Sequence, residues 1–256
     1  MVPFHVIIPA RFASTRLPAK MLADIAGKPL LQHTYDKAIQ SGAMSVIIAT
    51  DDDRIKQLAE SFGAKVCMTS NNHESGTSRI AEAARILNYS GDEIIINVQG
   101  DEPLIPPVII KQAAEAIHKH QDADVATLCV PIISTEELFN PNVTKVILDK
   151  NGYAIYFSRA PIPYERDNFL NNQNDLLKPL KSEHYRHVGI YAYRFKTLQK
   201  YVSWPTADLE ITERLEQLRV LWNGGKIYVE TALKDSPISV DSKEDLEKVR
   251  ELINNE

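Results

Sequence analysis

The sequence predicts an α/β protein built on a doubly wound, mainly parallel, Rossmann-like sheet. Three observations carry that expectation. The first half alternates short β-branched runs with helical patterns. Those runs are apolar without alternation, as in strands covered on both faces. Their order, strand then helix four times over, is what parallel crossovers require. At 256 residues the chain suits one α/β domain better than two equal ones.

The elements follow in order. Phe4–Pro9 reads as a buried strand and Pro29–Gln40 as a helix. Ser45–Thr50 is a second strand. Asp52–Phe62 then places Ile55, Leu58, Ala59 and Phe62 on one helical face, and Gly63 ends it. Lys65–Met68 is a third strand, and Ser75–Leu87 repeats the helical spacing with Ile80, Ala83, Ala84 and Leu87. Glu93–Val98 is a fourth strand and Pro107–His120 a helix. In the second half Val125–Ile133, Lys145–Leu148, Tyr153–Ser158, His187–Arg194 and Lys226–Thr231 read as strands of a smaller mixed β lobe. Two helices close the chain, Thr206–Asn223 and Ser242–Asn254, the latter opened by a Ser242/Asp245 capping box. A long polar connection separates Ala160 from Arg186. Such lengths belong to lids, partner contacts or disordered segments.

Composition narrows the function. The chain is 44% hydrophobic and 25% charged, which excludes a disordered or fibrous protein. Residues 1–205 hold 22 basic and 22 acidic side chains, and residues 206–256 hold 7 and 12, so the tail carries the whole net charge of −5. No acid precedes Asp24, whereas Arg11, Arg16 and Lys20 do. This is no general nucleic-acid surface, but a basic opening suits one small anion. Cys67 and Cys129 have no metal spacing and read as buried thiols of a reducing compartment. No apolar run approaches the ~20 residues of a membrane span. The opening MVPFHVIIPAR lacks the pattern of a signal peptide, so a cytoplasmic protein with no membrane partner is expected.

Ligands on such sheets sit beyond the carboxyl ends of the strands. Three segments leave strand ends early in the chain. ARFASTRLPAK, Ala10–Lys20, offers three cations, two hydroxyls and no acid. It reads equally as a phosphate-binding loop or a solvated basic loop. It matches neither the Walker A pattern nor GxGxxG. VQGDEP puts Asp101 and Glu102 at a strand end, where paired carboxylates suit Mg²⁺. TDDD, Thr50–Asp53, is either a DxD metal motif or an N-cap with acids favoured by the helix dipole. The cap explains all three acids and is preferred. SGTSR, Ser75–Arg79, reads first as an N-cap at Ser75 and second as an anion or ribose site. In Thr206–Asn223, Ile211, Leu215, Leu218 and Trp222 form one face, leaving Glu213, Glu216 and Gln217 opposite, as a solvated face or a wall of hydroxyl-binding groups. Asp241 is a cap or turn acid unless it meets Asp101 in space.

PARFASTRLPAK, KPLLQHTY, VIIATDDDRI, SGTSR, INVQGDEP, NPNVTKVILD, YAIYFSRAPIP, RHVGIYAYR, LEQLRVLWNG and VDSKEDLEKVR follow one another in this order. Across nearly the whole chain the set resembles the 3-deoxy-manno-octulosonate (KDO) cytidylyltransferases. The resemblance implies a fold of the nucleotide-diphospho-sugar transferase type, with residues 1–125 as a CTP-binding half and 126–256 as a sugar-acid and dimerisation half. It implies a Mg²⁺-dependent homodimer that joins CTP to KDO. On this resemblance the nucleotide site comprises Ala10, Arg11, Ser14, Arg16, Lys20, Ser75, Gly76, Thr77 and Arg79. The sugar-acid site comprises Gln99, Arg159, His187, Tyr191, Glu216 and Gln217. Asp101 and Asp241 hold the metal, and with Arg11 and Lys20 they form the catalytic set. A sialic-acid or amino-KDO enzyme, a DxD glycosyltransferase and a non-catalytic nucleotide binder are the alternatives. Ala19 stands where the family usually has Gly, so either its backbone is ordinary or the loop differs in shape.

Overall fold

The computed structural model describes residues 2–13, 17–73, 75–169, 179–235 and 239–254. The chain begins with β1 (His5–Ala10), one 3-10 turn at Lys20–Leu22, and the short pair β2 (Asp24–Ile25) and β3 (Lys28–Pro29). There follow α1 (Leu30–Gln40), β4 (Ser45–Thr50), α2 (Asp53–Ser61), β5 (Lys65–Met68), α3 (Gly76–Ile86), β6 (Ile94–Asn97) and α4 (Pro107–Lys119). The second half runs β7 (Val125–Pro131), α5 (Thr135–Phe139), β8 (Lys145–Leu148), β9 (Ala154–Ser158), α6 (Arg166–Phe169), β10 (Tyr185–Arg194), α7 (Phe195–Ser203), α8 (Asp208–Glu213), α9 (Leu218–Trp222), β11 (Ile227–Thr231) and α10 (Lys243–Asn254).

The main sheet has the order β11-β7-β10-β6-β1-β4-β5, and the β8-β9 ribbon branches from the start of β10. Neighbours pair in parallel except around β10, which runs antiparallel to β6, β7 and β8, and in the antiparallel β8-β9 ribbon. Successive β1 side chains feed two cores. Val6, Ile8 and Ala10 meet residues of α1, α2, α4 and α10, while Ile7 meets those of α3, α7 and α9. Helices thus cover both faces, which is why the strands read as unbroken apolar runs.

The Ser242/Asp245 capping box forms: Asp245 N donates to Ser242 Oγ at 3.1 Å and Ser242 N to Asp245 Oδ2 at 2.9 Å. Cys67 and Cys129 are free and buried. No helix among the described residues is long and apolar enough to cross a membrane.

Three sequence expectations need correction. Thr206–Asn223 is two helices, because Arg214 takes the left-handed conformation (φ 54°, ψ 46°) and ends α8. The break changes the helical phase. Leu215 and Leu218 enter the core, but Ile211 and Trp222 are left 51% and 58% exposed, and Gln217 is buried. Secondly, Phe195–Ser203 forms α7, which buries Leu198 and Tyr201, an amphipathic stretch that the strand before it obscured. Thirdly, β10 begins at Tyr185, with Tyr185 and Arg186 paired to β7 and β8.

Ala19 settles the question its sequence posed. It lies in the left-handed region at φ 56°, ψ 24°, directly before Lys20. A Cβ there is disfavoured, and glycine removes the penalty. Ala19→Gly is expected to stabilise the protein by about 1 kcal/mol and raise Tm by about 2–4 °C, as read by thermal unfolding.

Candidate active site

The carboxyl ends of β1, β4 and β6 point the same way, and the segments leaving them converge. Lys20 is the junction. Its Nζ donates to Asp101 Oδ2 at 2.6 Å, Asp241 Oδ1 at 3.1 Å and the Val240 carbonyl at 2.9 Å. Val240 N donates in turn to the Asp101 carbonyl at 2.9 Å, which ties the segment before α10 to the β6 exit. Asp101 and Asp241, 140 positions apart in the chain, therefore face one cation. Lys20 is buried, which alone would lower its pKa. The two carboxylates overcome that and raise it, so the ammonium is fixed.

A second cluster forms where β1 and β4 end beside the N-terminus of α3. Arg79 is fully buried and donates from Nη2 to Asp51 Oδ2 at 2.9 Å and from Nη1 to Thr69 Oγ1 at 2.7 Å. Burial lowers the pKa of Arg11, and the Arg79 charge adds to the effect, while Asp51 and Glu216 oppose it. Ser75 caps α3 by accepting from Ser78 N at 3.1 Å. Gly76 packs against Pro9 and Gln99, with the nearest side-chain atom 3.4 Å from where its Cβ would stand. Thr77 is buried and Ala10 ends β1 with no exposure. Burial also raises the Glu216 carboxyl, although its hydrogen bonds at Thr77 and Ser75 pull it down. Ser14 and Arg16 lie outside the described residues.

Asp51 and its neighbours are spent elsewhere. Asp52 caps α2, accepting from Arg54 N at 2.9 Å, and Asp51 holds Arg79. Among the described residues no three potential metal ligands of the His, Cys, Asp and Glu type cluster.

Between β10, α10 and the 140–144 turn lies a cavity of about 890 Å³, whose lining includes His187, Tyr191, Gln217, Arg186 and Asp241. Tyr191 OH donates to Gln217 Oε1 at 3.1 Å, and Gln99 Nε2 donates to Asn97 Oδ1 at 3.0 Å. Tyr191 and Asn97 are opposite each other in the β10–β6 register, so these two pairs are neighbours. Burial, helped by the Arg186 charge, lowers the His187 pKa to about 3. The ring is neutral and shares a hydrogen bond of 2.9 Å with Thr127 Oγ1.

Four buried side-chain nitrogens among the described residues lack a hydrogen-bond partner: Arg11 Nη2, Arg79 Nε, Asn97 Nδ2 and Gln217 Nε2. All belong to this end of the sheet. Orphaned buried donors are costly in a folded protein and accumulate where a ligand completes them.

Of the expected sugar-acid set, His187, Tyr191 and Gln217 line the cavity, whereas Gln99, Glu216 and Arg159 do not. The Arg159 guanidinium donates to the carbonyls of Glu213 (2.7 Å) and Pro141 (2.9 Å).

A family model described as cytidylyltransferase matches residues 5–227. The chain belongs to the cytidylyltransferase family. This cytidylyltransferase is 58% identical over 247 residues to the 3-deoxy-manno-octulosonate cytidylyltransferase of Coxiella burnetii (strain RSA 493 / Nine Mile phase I), covering 96% of this chain and 98% of that one. It is 55% identical over 250 residues to the enzyme of the same name from Haemophilus influenzae (strain ATCC 51907 / DSM 11121 / KW20 / Rd), covering 98% of each. Among solved structures it is similar to CMP:2-keto-3-deoxy-manno-octonic acid synthetase complexed with CTP, at 40% identity and a TM-score of 0.89, with 99% of each chain covered. A nucleotidyl transferase from Methanothermobacter thermautotroptrophicus shares the fold, at 14% identity and a TM-score of 0.62.

Two residues of this cytidylyltransferase's site escaped the sequence reading. Asn97 holds Gln99, and its polar side chain at the end of an otherwise apolar strand was the available signal. Arg186 lines the cavity, bonded to Glu137 Oε1 at 3.0 Å and Asp235 Oδ1 at 2.6 Å. Its only signal was adjacency to His187.

Proposed function

We propose that the protein activates KDO for lipopolysaccharide synthesis: CTP and KDO give CMP-KDO and diphosphate. The observation that carries this reading is the meeting of Asp101 and Asp241 on Lys20 at the strand ends, with orphaned donors on both sides of it. In this reading Arg11, Lys20 and the α3 N-terminus (Ser75, Gly76, Thr77) hold the nucleotide, with Arg79 fixing the cluster from below, Ala10 lining it, and Ser14 and Arg16 completing the loop. Gln99, His187, Tyr191, Glu216 and Gln217 meet the sugar hydroxyls, and Arg159 shapes their wall. A neutral His187 serves as a hydrogen-bonding group for a hydroxyl.

The anomeric hydroxyl attacks the α-phosphorus in line. The new O–P bond forms as the bond to the β-phosphate oxygen breaks, and the hydroxyl proton is released. The protein's contribution is positioning and charge complementarity. Arg11 binds phosphate oxygens, and the Lys20 ammonium places a positive charge beside the leaving diphosphate. Tyr191, through Gln217, orients the sugar.

Mg²⁺ fits the donor set. Asp101 and Asp241, brought together on the Lys20 ammonium, would supply carboxylate oxygens to it, and Mg²⁺ is commonly held by one or two carboxylates plus water and substrate phosphate. When bound, it would lower the pKa of the attacking hydroxyl and neutralise charge on the phosphates. We further propose a cytoplasmic homodimer joined through residues 126–256, where Ile133, Ile155 and Tyr164 are exposed apolar side chains.

The test is diphosphate release from CTP and Mg²⁺ with and without KDO. KDO-dependent release is expected, and its absence overturns the reading.

A further inference from the structure

One buried cation has no part in that scheme. Lys145, the first residue of β8, has no solvent exposure, and no carboxylate among the described residues lies within ion-pair distance of its ammonium. Its Nζ donates instead to three carbonyls: Asn140 at 2.9 Å, Val143 at 2.7 Å and Arg159 at 2.5 Å. An ammonium has three N–H donors, and all three are used. Enclosing a cation is costly unless geometry and hydrogen bonding recover the lost hydration. A side chain kept there at that cost invites the question of what it holds.

It holds the wall of the large cavity. Asn140, Asn142, Val143 and Thr144 line that cavity, and two of the three bonded carbonyls lie in this turn. The third belongs to Arg159, which returns to the same turn by donating to the Pro141 carbonyl. Arg159 also binds Glu213 twice, N to Oε2 at 3.0 Å and Nε to the carbonyl at 2.7 Å. Glu213 ends α8, and Leu215 and Gln217 just beyond it line the cavity from the other side. On the inner wall His187 N donates to the Thr144 carbonyl at 2.8 Å. Three segments distant in sequence, 140–144, the end of β9 and the end of α8, are thus tied to one ammonium.

We propose that Lys145 is a positioning residue for the sugar-acid substrate, fixing the 140–144 wall opposite His187 and Gln217. The inference rests on the KDO reading above and deepens it. Removing the ammonium releases the turn without touching the Lys20 cluster or the α3 N-terminus, so sugar-acid binding suffers and CTP binding does not.

Burial lowers the Lys145 pKa to about 8, and the Arg159 charge adds to the effect while Glu213 opposes it. On β10 beside it stand the Arg186 guanidinium and the His187 ring, which burial keeps neutral. Above pH 8 the amine keeps two donors for three carbonyls, so the wall loosens with pH.

The experiment measures KM for KDO and for CTP, with kcat, in wild type and Lys145→Met between pH 7 and 9.5. At pH 7 the variant should raise KM for KDO at least about tenfold and leave KM for CTP within about twofold. In wild type KM for KDO should climb above pH 8, and in the variant that climb should vanish. Unchanged KM for KDO in folded Lys145→Met, or equal changes in both KM values, overturns the proposal. If the variant does not fold, the wild-type profile decides, and a KM for KDO that is flat to pH 9.5 overturns it. A wild type that releases no diphosphate with KDO fails the substrate reading itself, which is a separate result.

Discussion

Asp101→Ala should fold normally and lose at least about a thousand-fold in kcat/KM for diphosphate release, equivalent to about 4 kcal/mol of transition-state stabilisation. The fold should survive because Asp101's structural bond is made by its backbone: Val240 N donates to its carbonyl, which the substitution keeps. Lys20 also retains the Val240 carbonyl and Asp241. What disappears is one of two carboxylates converging on a single cation position. On the proposed reading, that carboxylate would help hold a divalent ion against the triphosphate, and it also keeps Lys20 aligned. Asp241→Ala should show a similar loss, and the double variant should fall well short of the sum, because both residues act through the same position. Isothermal titration with Mn²⁺ and CTP provides a readout besides turnover. A folded Asp101→Ala enzyme with near-native activity would remove this carboxylate from the mechanism.

Glu165→Gln should destabilise the protein by about 2 kcal/mol at pH 7 and flatten its acid sensitivity. Glu165 is buried, and its Oε1 accepts from Lys181 N at 2.9 Å, Ser182 N at 2.7 Å and His184 Nε2 at 3.0 Å, while Asn168 Nδ2 donates to Oε2 at 2.7 Å. Burial pushes the carboxyl up, but these donors prevail, His184 first among them, and bring its pKa from 4.5 to about 2. That drop is worth at most about 3 kcal/mol, and solvent screening brings the expectation to about 2 kcal/mol. The sign follows from the depressed value. The carboxylate's stabilisation is complete above about pH 4.5, where the unfolded chain is also ionised. It is lost as the pH falls from there through about 2. Urea unfolding at pH 7, 4 and 3 should show the wild type losing stability faster than Glu165→Gln, by up to about 1.4 kcal/mol per pH unit. Parallel slopes would mean that Glu165 titrates normally.

The sheet was legible because its strands are buried on both faces, which leaves unbroken apolar runs such as VIIAT and EIIIN with helical periods between them. The break at Arg214 was not. Nothing in TERLEQLR punctuates a helix, and only the pairing of Arg219 with Glu210 across the break, at 2.7 Å from both guanidinium contacts, shows tertiary structure overruling local preference. The direction of β10 was also hidden, since a strand's own residues carry no mark of whether its neighbours run with or against it. At the site, Lys20 and Asp101 announce themselves as charges at strand ends. Asp241 does not, because its meaning depends on a contact across 221 positions with Lys20. TDDD was read as a cap, and Asp52 does cap α2, yet Asp51 anchoring a buried Arg79 could not be read from spacing alone.

The antiparallel strand β10 also has a consequence for how the protein is made. It is the only connection in the sheet between β6 and β7, both of which precede it by at least 54 positions. While the chain emerges from the ribosome, both of those strands must wait with an open hydrogen-bonding edge until residue 194 is available. A fragment ending near residue 150 would leave one edge of β6 and both edges of β7 unpaired, because β11 also follows it. A stall before β10 would therefore hold the nascent chain with its central strand edges open to pairing with other chains.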